Sequence, residues 1–175
     1  MPIILNIETA TKNCSVALAK EGKTIAYKEI AEQNFSHAEK LHVFIEELLA
    51  ENQLQFSDLS AIAVSQGPGS YTGLRIGVSS AKGFCYALNI PMIAIDTLQL
   101  LAKQIHIEEG IIIPMIDARR MEVFTAFYDK NHNQIRNTQA EIIDETSYQE
   151  ISDKIHLVGD GTEKFKNTLT DDKFV

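Results

Sequence analysis

Ile3-Ile-Leu-Asn-Ile-Glu8 opens the chain, and Ile112-Ile-Pro-Met-Ile-Asp117 repeats it at an offset of 109, Ile3 falling on Ile112. Each is a short apolar run that ends in an acid, the pattern of a buried strand. At the same offset Ala17 and Leu18 fall on Ala126 and Phe127, and the turn Glu21-Gly22 falls on Lys130-Asn131. The strand from Thr24 to about Ile30 is answered by one from about Gln134 to Ile143. Further on, Ile155 to Val158 before Gly159-Asp-Gly161 repeats Ala61 to Val64 before Gln66-Gly67. A repeat of this kind predicts two related domains, residues 1–106 and 107–175, joined near Ile107 to Gly110.

Between the repeated parts the first domain carries helices. Ser36, with Glu39 three residues on, reads as a capping box, and Ala38, Leu41, Phe44, Ile45, Leu48 and Leu49 follow at helical spacing. These six span an arc of roughly 140°, wide enough to cover more than one neighbour. A second helix is predicted from about Thr72 to Leu88, then a strand from Met92 to Ile95 and a helix from Thr97 to Ile105. Three strands, helix, strand, helix, strand, helix is an α/β unit with an antiparallel meander followed by a parallel crossover. The second copy has only Thr162 to Leu169 after its glycine turn, so it is expected to be a truncated version of the first.

Composition narrows the function. The 175 residues hold 16 Lys and Arg against 24 Asp and Glu, a net charge of −8, which disfavours a stand-alone nucleic-acid binder. With 45% hydrophobic and 23% charged residues the chain is globular in type, and no apolar run approaches membrane-spanning length. Met1 to Glu8 lacks the basic start of a signal peptide. Cys14 and Cys85 form no C-x-x-C pair, which fits a reducing cytoplasm, and both read as packing residues. The five histidines make no H-E-x-x-H and no i,i+4 pair, so no metal site is expected. No G-x-S-x-G elbow marks a nucleophile.

Tandem domains that each open with a strand, an acid and a hairpin resemble the superfamily of actin, heat-shock ATPases and sugar kinases. In that superfamily the acid holds Mg²⁺, and glycines in the following turn let backbone amides close on phosphate. Here the turns read Thr9-Ala-Thr-Lys-Asn13 and Ala118-Arg-Arg-Met121, with no glycine in either. The remaining phosphate candidate is Gly67-Pro-Gly-Ser-Tyr-Thr-Gly73, which ends a strand and starts a helix. Gly67, Gly69, Ser70, Thr72 and Arg75 are its anion or nucleotide contacts, although the glycine spacing matches neither a Walker loop nor a dinucleotide fingerprint.

On the second helix Leu74, Val78, Ala81, Cys85 and Leu88 form one apolar side, and Gly73, Ile76, Gly77, Ser80, Gly83 and Ala87 an adjacent small one. An interior glycine costs about 1 kcal/mol against alanine, so Gly77 and Gly83 call for a close neighbour. That neighbour is either the first helix or a second subunit. The wide arc on the first helix favours a subunit interface, built from Leu41, Phe44, Ile45, Leu48, Gly73, Ile76, Gly77, Ser80 and Gly83.

Gly67-Pro-Gly-Ser-Tyr-Thr-Gly-Leu-Arg-Ile-Gly77, Ile7-Glu-Thr9 with Cys14-Ser-Val-Ala-Leu18, Ile116-Asp-Ala-Arg-Arg120 with Glu122-Val-Phe124, and Val158-Gly-Asp-Gly161 together resemble the TsaB (YeaZ) family. The resemblance covers nearly the whole chain. It implies tandem actin-like ATPase (ribonuclease H-like) domains with mixed sheets flanked by helices. It also implies a non-catalytic subunit, without cofactor, of the cytoplasmic machinery that makes threonylcarbamoyladenosine in tRNA. Its partners would be the catalytic paralogue TsaD, as a heterodimer, and the ATPase TsaE, with tRNA met only through the complex. The isolated subunit would homodimerise through its two N-domain helices, which match Ser36 to Glu51 and Thr72 to Leu88 here. Family members usually have Asp where this chain has Glu8, and usually continue further. The alternatives are a nucleotide-dependent enzyme of the sugar-kinase type, with Glu8 and Asp117 as metal acids, and a glycoprotease-like peptidase.

Overall fold

A computed structural model describes residues 1–31 and 37–175. The predicted cap at Ser36 lies outside the described residues. The chain divides into two compact units, residues 1–96 and 97–175.

In the first unit β1 (Ile3–Glu8), β2 (Asn13–Lys20) and β3 (Lys23–Ala31) form an antiparallel meander. They are followed by α1 (His37–Glu51), β4 (Leu59–Gly67), α2 (Tyr71–Leu88) and β5 (Met92–Asp96). The sheet order is β3-β2-β1-β4-β5, with β4 parallel to both β1 and β5. Strand alternation sends Ile3, Leu5 and Ile7 of β1 and Cys14, Val16 and Leu18 of β2 to one face, where they are buried against α1 and α2.

The stripe on α1 is used inside this unit. Leu41 and Ile45 are 0% exposed, Leu48 is 1%, and all three sit in the same core as the sheet residues. They are therefore core residues and offer no surface to a partner; the wide arc is filled by the sheet and by α2. Phe44 is half-buried against that core, and Ala38 is exposed.

The glycines of α2 divide into two kinds. A Cβ on Gly73 would collide with the carbonyl oxygen of Thr9, and one on Gly77 with the Thr9 hydroxyl. Gly73 and Gly77 thus let α2 lie against the turn after β1, which corrects the expectation that they face another helix or subunit. Gly83 is different: it is exposed, and among the described residues no other part of the chain comes within 4 Å of where a Cβ would stand. Ser70 caps α2 by accepting the Gly73 amide at 3.2 Å, and Asn89, left-handed at φ 54°, ends it.

The second unit contains α3 (Thr97–Ala102), β6 (Ile111–Asp117), β7 (Glu122–Tyr128), β8 (Gln134–Ile142) and β9 (Ile155–Val158). Its sheet order, β8-β7-β6-β9, reproduces β3-β2-β1-β4, with the outer pair β6 and β9 again parallel. At the offset of 109, β1 falls within β6 and β2 on β7, whereas β8 starts two residues late. The delay follows from the turn, where Asp129 accepts the amides of Asn131 and Asn133 and makes a longer loop than Glu21-Gly22.

The compact units part at Asp96 and Thr97, ahead of the 106/107 boundary drawn from the repeat. Leu98 and Ala102 of α3 are fully buried with Ile112, Ile116, Ala126 and Tyr128, so α3 belongs to the second core. The other face of this sheet buries Ile113, Met115, Val123 and Phe165. Between Thr162 and Leu169 only a short 3-10 turn, Glu163–Phe165, is formed.

The two kinds of glycine make opposite predictions. Gly73→Ala places a methyl inside the Thr9 backbone and is expected to destabilise the chain by about 1–3 kcal/mol. Gly83→Ala meets nothing and is expected to stabilise it by about 1 kcal/mol through helix propensity. Urea denaturation of the two variants checks the pair; equal effects would remove the distinction.

Candidate functional site

The acids that close β1 and β6 are the natural place to look for chemistry in this topology. The Glu8 carboxylate is held by its own chain: Oε1 accepts the Ala10 amide at 2.6 Å, and Oε2 accepts the hydroxyl of Ser65 on neighbouring β4. Ser65 is 3% exposed, which places its hydroxyl out of reach of a substrate as a nucleophile.

The turn that follows is tied down at each residue. Thr9 Oγ1 donates to the Gly73 carbonyl at 2.8 Å, the Ala10 carbonyl accepts the Ser70 amide at 2.6 Å, and His37 Nε2 lies 2.9 Å from the Thr11 carbonyl. Thr9 and Ala10 are each 1% exposed. Three of the amides at the start of α2 are consequently in use within the chain. Ser70 N–H is bound to Ala10, Gly73 N–H to Ser70 Oγ, and Leu74 N–H to the Ser70 carbonyl.

Gly67, at φ 114°, makes the backbone turn that only glycine takes without strain, and Gly69 admits the Ala10 carbonyl at close range. Thr72 and Arg75 are exposed, and the Arg75 guanidinium lies 4.1 Å from the Tyr71 ring centre. Of the five candidate anion contacts, then, Gly69 and Ser70 lie on the chain's own Ala10, Gly67 faces Leu74, Thr72 is exposed and Arg75 stacks on Tyr71.

In the second unit Asp117 is bound differently. Its Oδ1 accepts the Arg119 amide at 2.8 Å and the Lys164 ammonium at 2.6 Å, while its own amide donates to Asp160 Oδ1 at 3.1 Å. Lys164 carries no motif and is invisible to spacing rules; only the fold brings it 47 residues back to this acid.

These residues do not fit the Mg²⁺-nucleotide pair that actin-like folds take. One acid has both oxygens held by its own chain and the other is paired with an ammonium, and no step is derived through such a group. Among the described residues no cluster of three His, Cys, Asp or Glu could hold a metal ion. Burial pushes the thiols of Cys14 and Cys85 up, away from reactive thiolates.

What the unit does present is one edge of the α1–α2 layer. Ser80 Oγ lies 3.2 Å from His42 Nε2, and Phe84 is tilted against His42 and stacked on Phe56. On the same helices Tyr86 is 92% exposed and Val43 45%, and Gly83 is open among the described residues. Of the nine interface candidates Leu41, Ile45, Leu48, Gly73 and Gly77 are internal, and Phe44 and Ile76 are half-buried against the core. Ser80, half-buried on His42, and exposed Gly83 remain on the seam. The outward apolar residues Val43 and Tyr86 were not singled out by periodicity, because they fall outside the regular apolar stripes.

The repeated strand–acid–hairpin and the matched sheet orders define a tandem protein of the actin-like fold class. The chain matches the family model described as "TsaD: tRNA N6-adenosine threonylcarbamoyltransferase" over residues 27–170. It is similar to the tRNA threonylcarbamoyladenosine biosynthesis protein TsaB of Escherichia coli K12, 35% identical over 134 residues, covering 75% of this chain and 57% of that one. TsaB of Bacillus subtilis is 38% identical over 125 residues, 71% of this chain and 54% of the relative. TsaB of Buchnera aphidicola subsp. Schizaphis graminum is 31% identical over 173 residues, 94% and 81%. YeaZ from Pseudomonas aeruginosa superposes with a TM-score of 0.79 at 26% identity, covering 98% of this chain and 82% of that structure. The chain belongs to the TsaB (YeaZ) family. Its matches to the E. coli and B. subtilis relatives span a little over half of their length.

If Glu8 is a structural acceptor, Glu8→Ala strands the Ala10 amide and the buried Ser65 hydroxyl and is expected to cost about 1–3 kcal/mol. Urea denaturation measures this. Titration of both proteins with ATP and Mg²⁺ is expected to give the same calorimetric trace, whereas binding heat lost only in the variant would return Glu8 to a ligand role.

Proposed function

We propose that this chain is a non-catalytic subunit in tRNA threonylcarbamoyladenosine biosynthesis. It pairs with a TsaD-like paralogue through the open edge of its α1–α2 layer. The names of its relatives support the pathway. The binding of Glu8 and Asp117 by their own chain supports a role without chemistry, since an acid already bound in this way is poorly placed to hold a metal or move a proton.

The observation that carries the pairing is Gly83. It stands inside a helix at a cost of about 1 kcal/mol, and among the described residues no neighbouring element comes within 4 Å of where its Cβ would stand, which leaves room for a partner's close approach. On the same two helices Tyr86 and Val43 are exposed and Ser80 lies on His42, a mix of aromatic, apolar and small residues of the kind found in interfaces. The same face, used isologously, accounts for a homodimer of the isolated chain. A TsaE-like ATPase then joins the pair, and tRNA is met through the complex, in keeping with a net charge of −8. The work is cytoplasmic in this reading, and no described helix is long and apolar enough to cross a membrane.

Gly83→Leu is expected to fold normally, because the space is open, yet to weaken pairing by about tenfold or more, the range of a centrally placed contact. Co-elution with a TsaD-like partner on a sizing column, beside a thermal melt of the variant alone, reads both. Unchanged co-elution of a folded variant would remove this face from the interface.

A further inference from the structure

We propose that Lys164 is a built-in counter-ion: its ammonium occupies the cation position beside Asp117 and holds the Arg119–Arg120 turn without metal or nucleotide. The ammonium has three donors, and the structure supplies three oxygens for them. Nζ stands 2.6 Å from Asp117 Oδ1, 2.8 Å from the Arg120 carbonyl and 2.6 Å from the Glu122 carbonyl. Asp160 adds a second carboxylate at the edge of this group, on the Asp117 amide. Carboxylates and backbone carbonyls together are the oxygen set that a hard divalent cation takes. Here a lysine from the same unit fills it.

The turn needs such a clamp. Arg119 and Arg120 are consecutive non-glycine residues at φ 73° and 49°, a conformation that L side chains adopt at a cost and keep only where surrounding contacts impose it. Lys164 is positioned to impose it. It sits in the 3-10 turn whose Phe165 is 1% exposed in the core, and its side chain is 22% exposed against 47% for Asp117, so the ammonium end of the pair is the shielded one. By contrast Lys166, two residues on, pairs with Glu163 in the open, at 67% and 76% side-chain exposure. The first unit answers the same need without an ion, since Glu8 is bound by the Ala10 amide and the Ser65 hydroxyl. The two copies thus hold the acid that ends their first strand in different ways, the first by an amide and a hydroxyl, the second by an amide and a charge.

The turn contains two trypsin sites, the bonds after Arg119 and Arg120, which report its opening directly. In the full chain, Lys164→Met is expected to raise cleavage at these bonds about tenfold, the effect of losing a local clamp. Millimolar Ca²⁺ is expected to bring that rate back towards the unsubstituted level, because the vacated oxygens accept a cation. Cleavage of a free peptide substrate corrects for any action of Ca²⁺ on the protease. The unsubstituted chain is expected to ignore Ca²⁺, and adding Asp117→Asn to Lys164→Met is expected to abolish the rescue. Cleavage of Lys164→Met at the original rate, an increase that Ca²⁺ leaves untouched, or Ca²⁺ sensitivity of the unsubstituted chain would each overturn the proposal. Should Lys164→Met fail to fold, Asp117→Asn alone is expected to open the turn without a Ca²⁺ response, and cleavage unchanged in that variant would overturn it equally.

Discussion

The contact between α2 and the turn after β1 sets the terms for the rest of the first unit. It is backbone against backbone: Gly69, Gly73 and Gly77 leave room, and Thr9 and Ala10 fill it with hydrogen bonds to the Gly73 carbonyl and the Ser70 amide. Such a contact is specific because any Cβ would break it and any unpaired amide there would be left buried. Once made, it brings β1, β4 and α2 into one register, and Glu8 at the end of β1 is left facing the Ala10 amide and Ser65. The place where an actin-like fold would receive phosphate is filled by protein.

That docking is the structural basis for the scaffold role proposed above. Here the turn is docked on the helix, and both acids are held by donors from the chain. These contacts organise the turn and the acids from within the chain. Along α2 the first two turns place Gly73 and Gly77 on Thr9, and the later turns pack Ala81, Cys85 and Leu88 on the core while leaving Gly83 and Tyr86 exposed.

Much of the fold was legible in the sequence because the repeat is long. Ile3 to Glu8 and Ile112 to Asp117 each identify a strand with an acid at its end, and one offset then places the hairpins. The site was less legible, and the reason is physical. Helical periodicity reports which residues share a side, and Gly73, Gly77 and Gly83 do so roughly, but it says nothing about what lies opposite. Thr9 lies opposite two of them and nothing lies opposite the third, a difference created by tertiary packing alone. Leu41, Ile45 and Leu48 were assigned to an interface on the width of an arc, which a sheet and a neighbouring helix fill equally well. Lys164 carried no signal at all, since its partner Asp117 is 47 residues away and a lysine in a polar loop is ordinarily solvated.

The central claim is that the contact of α2 with the Thr9 turn is complete within the chain, whereas the exposed positions Gly83 and Tyr86 take a partner. Hydrogen exchange of the chain with and without a TsaD-like partner tests it most directly, since protection in each half of the helix is read separately. The account predicts that amides from Gly69 to Gly77 are already protected in the chain alone and change little, while those from Ser79 to Leu88 gain protection on pairing. Protection gained at Gly69 to Gly77 and in the Thr9 turn, with none gained from Ser79 to Leu88, would contradict it.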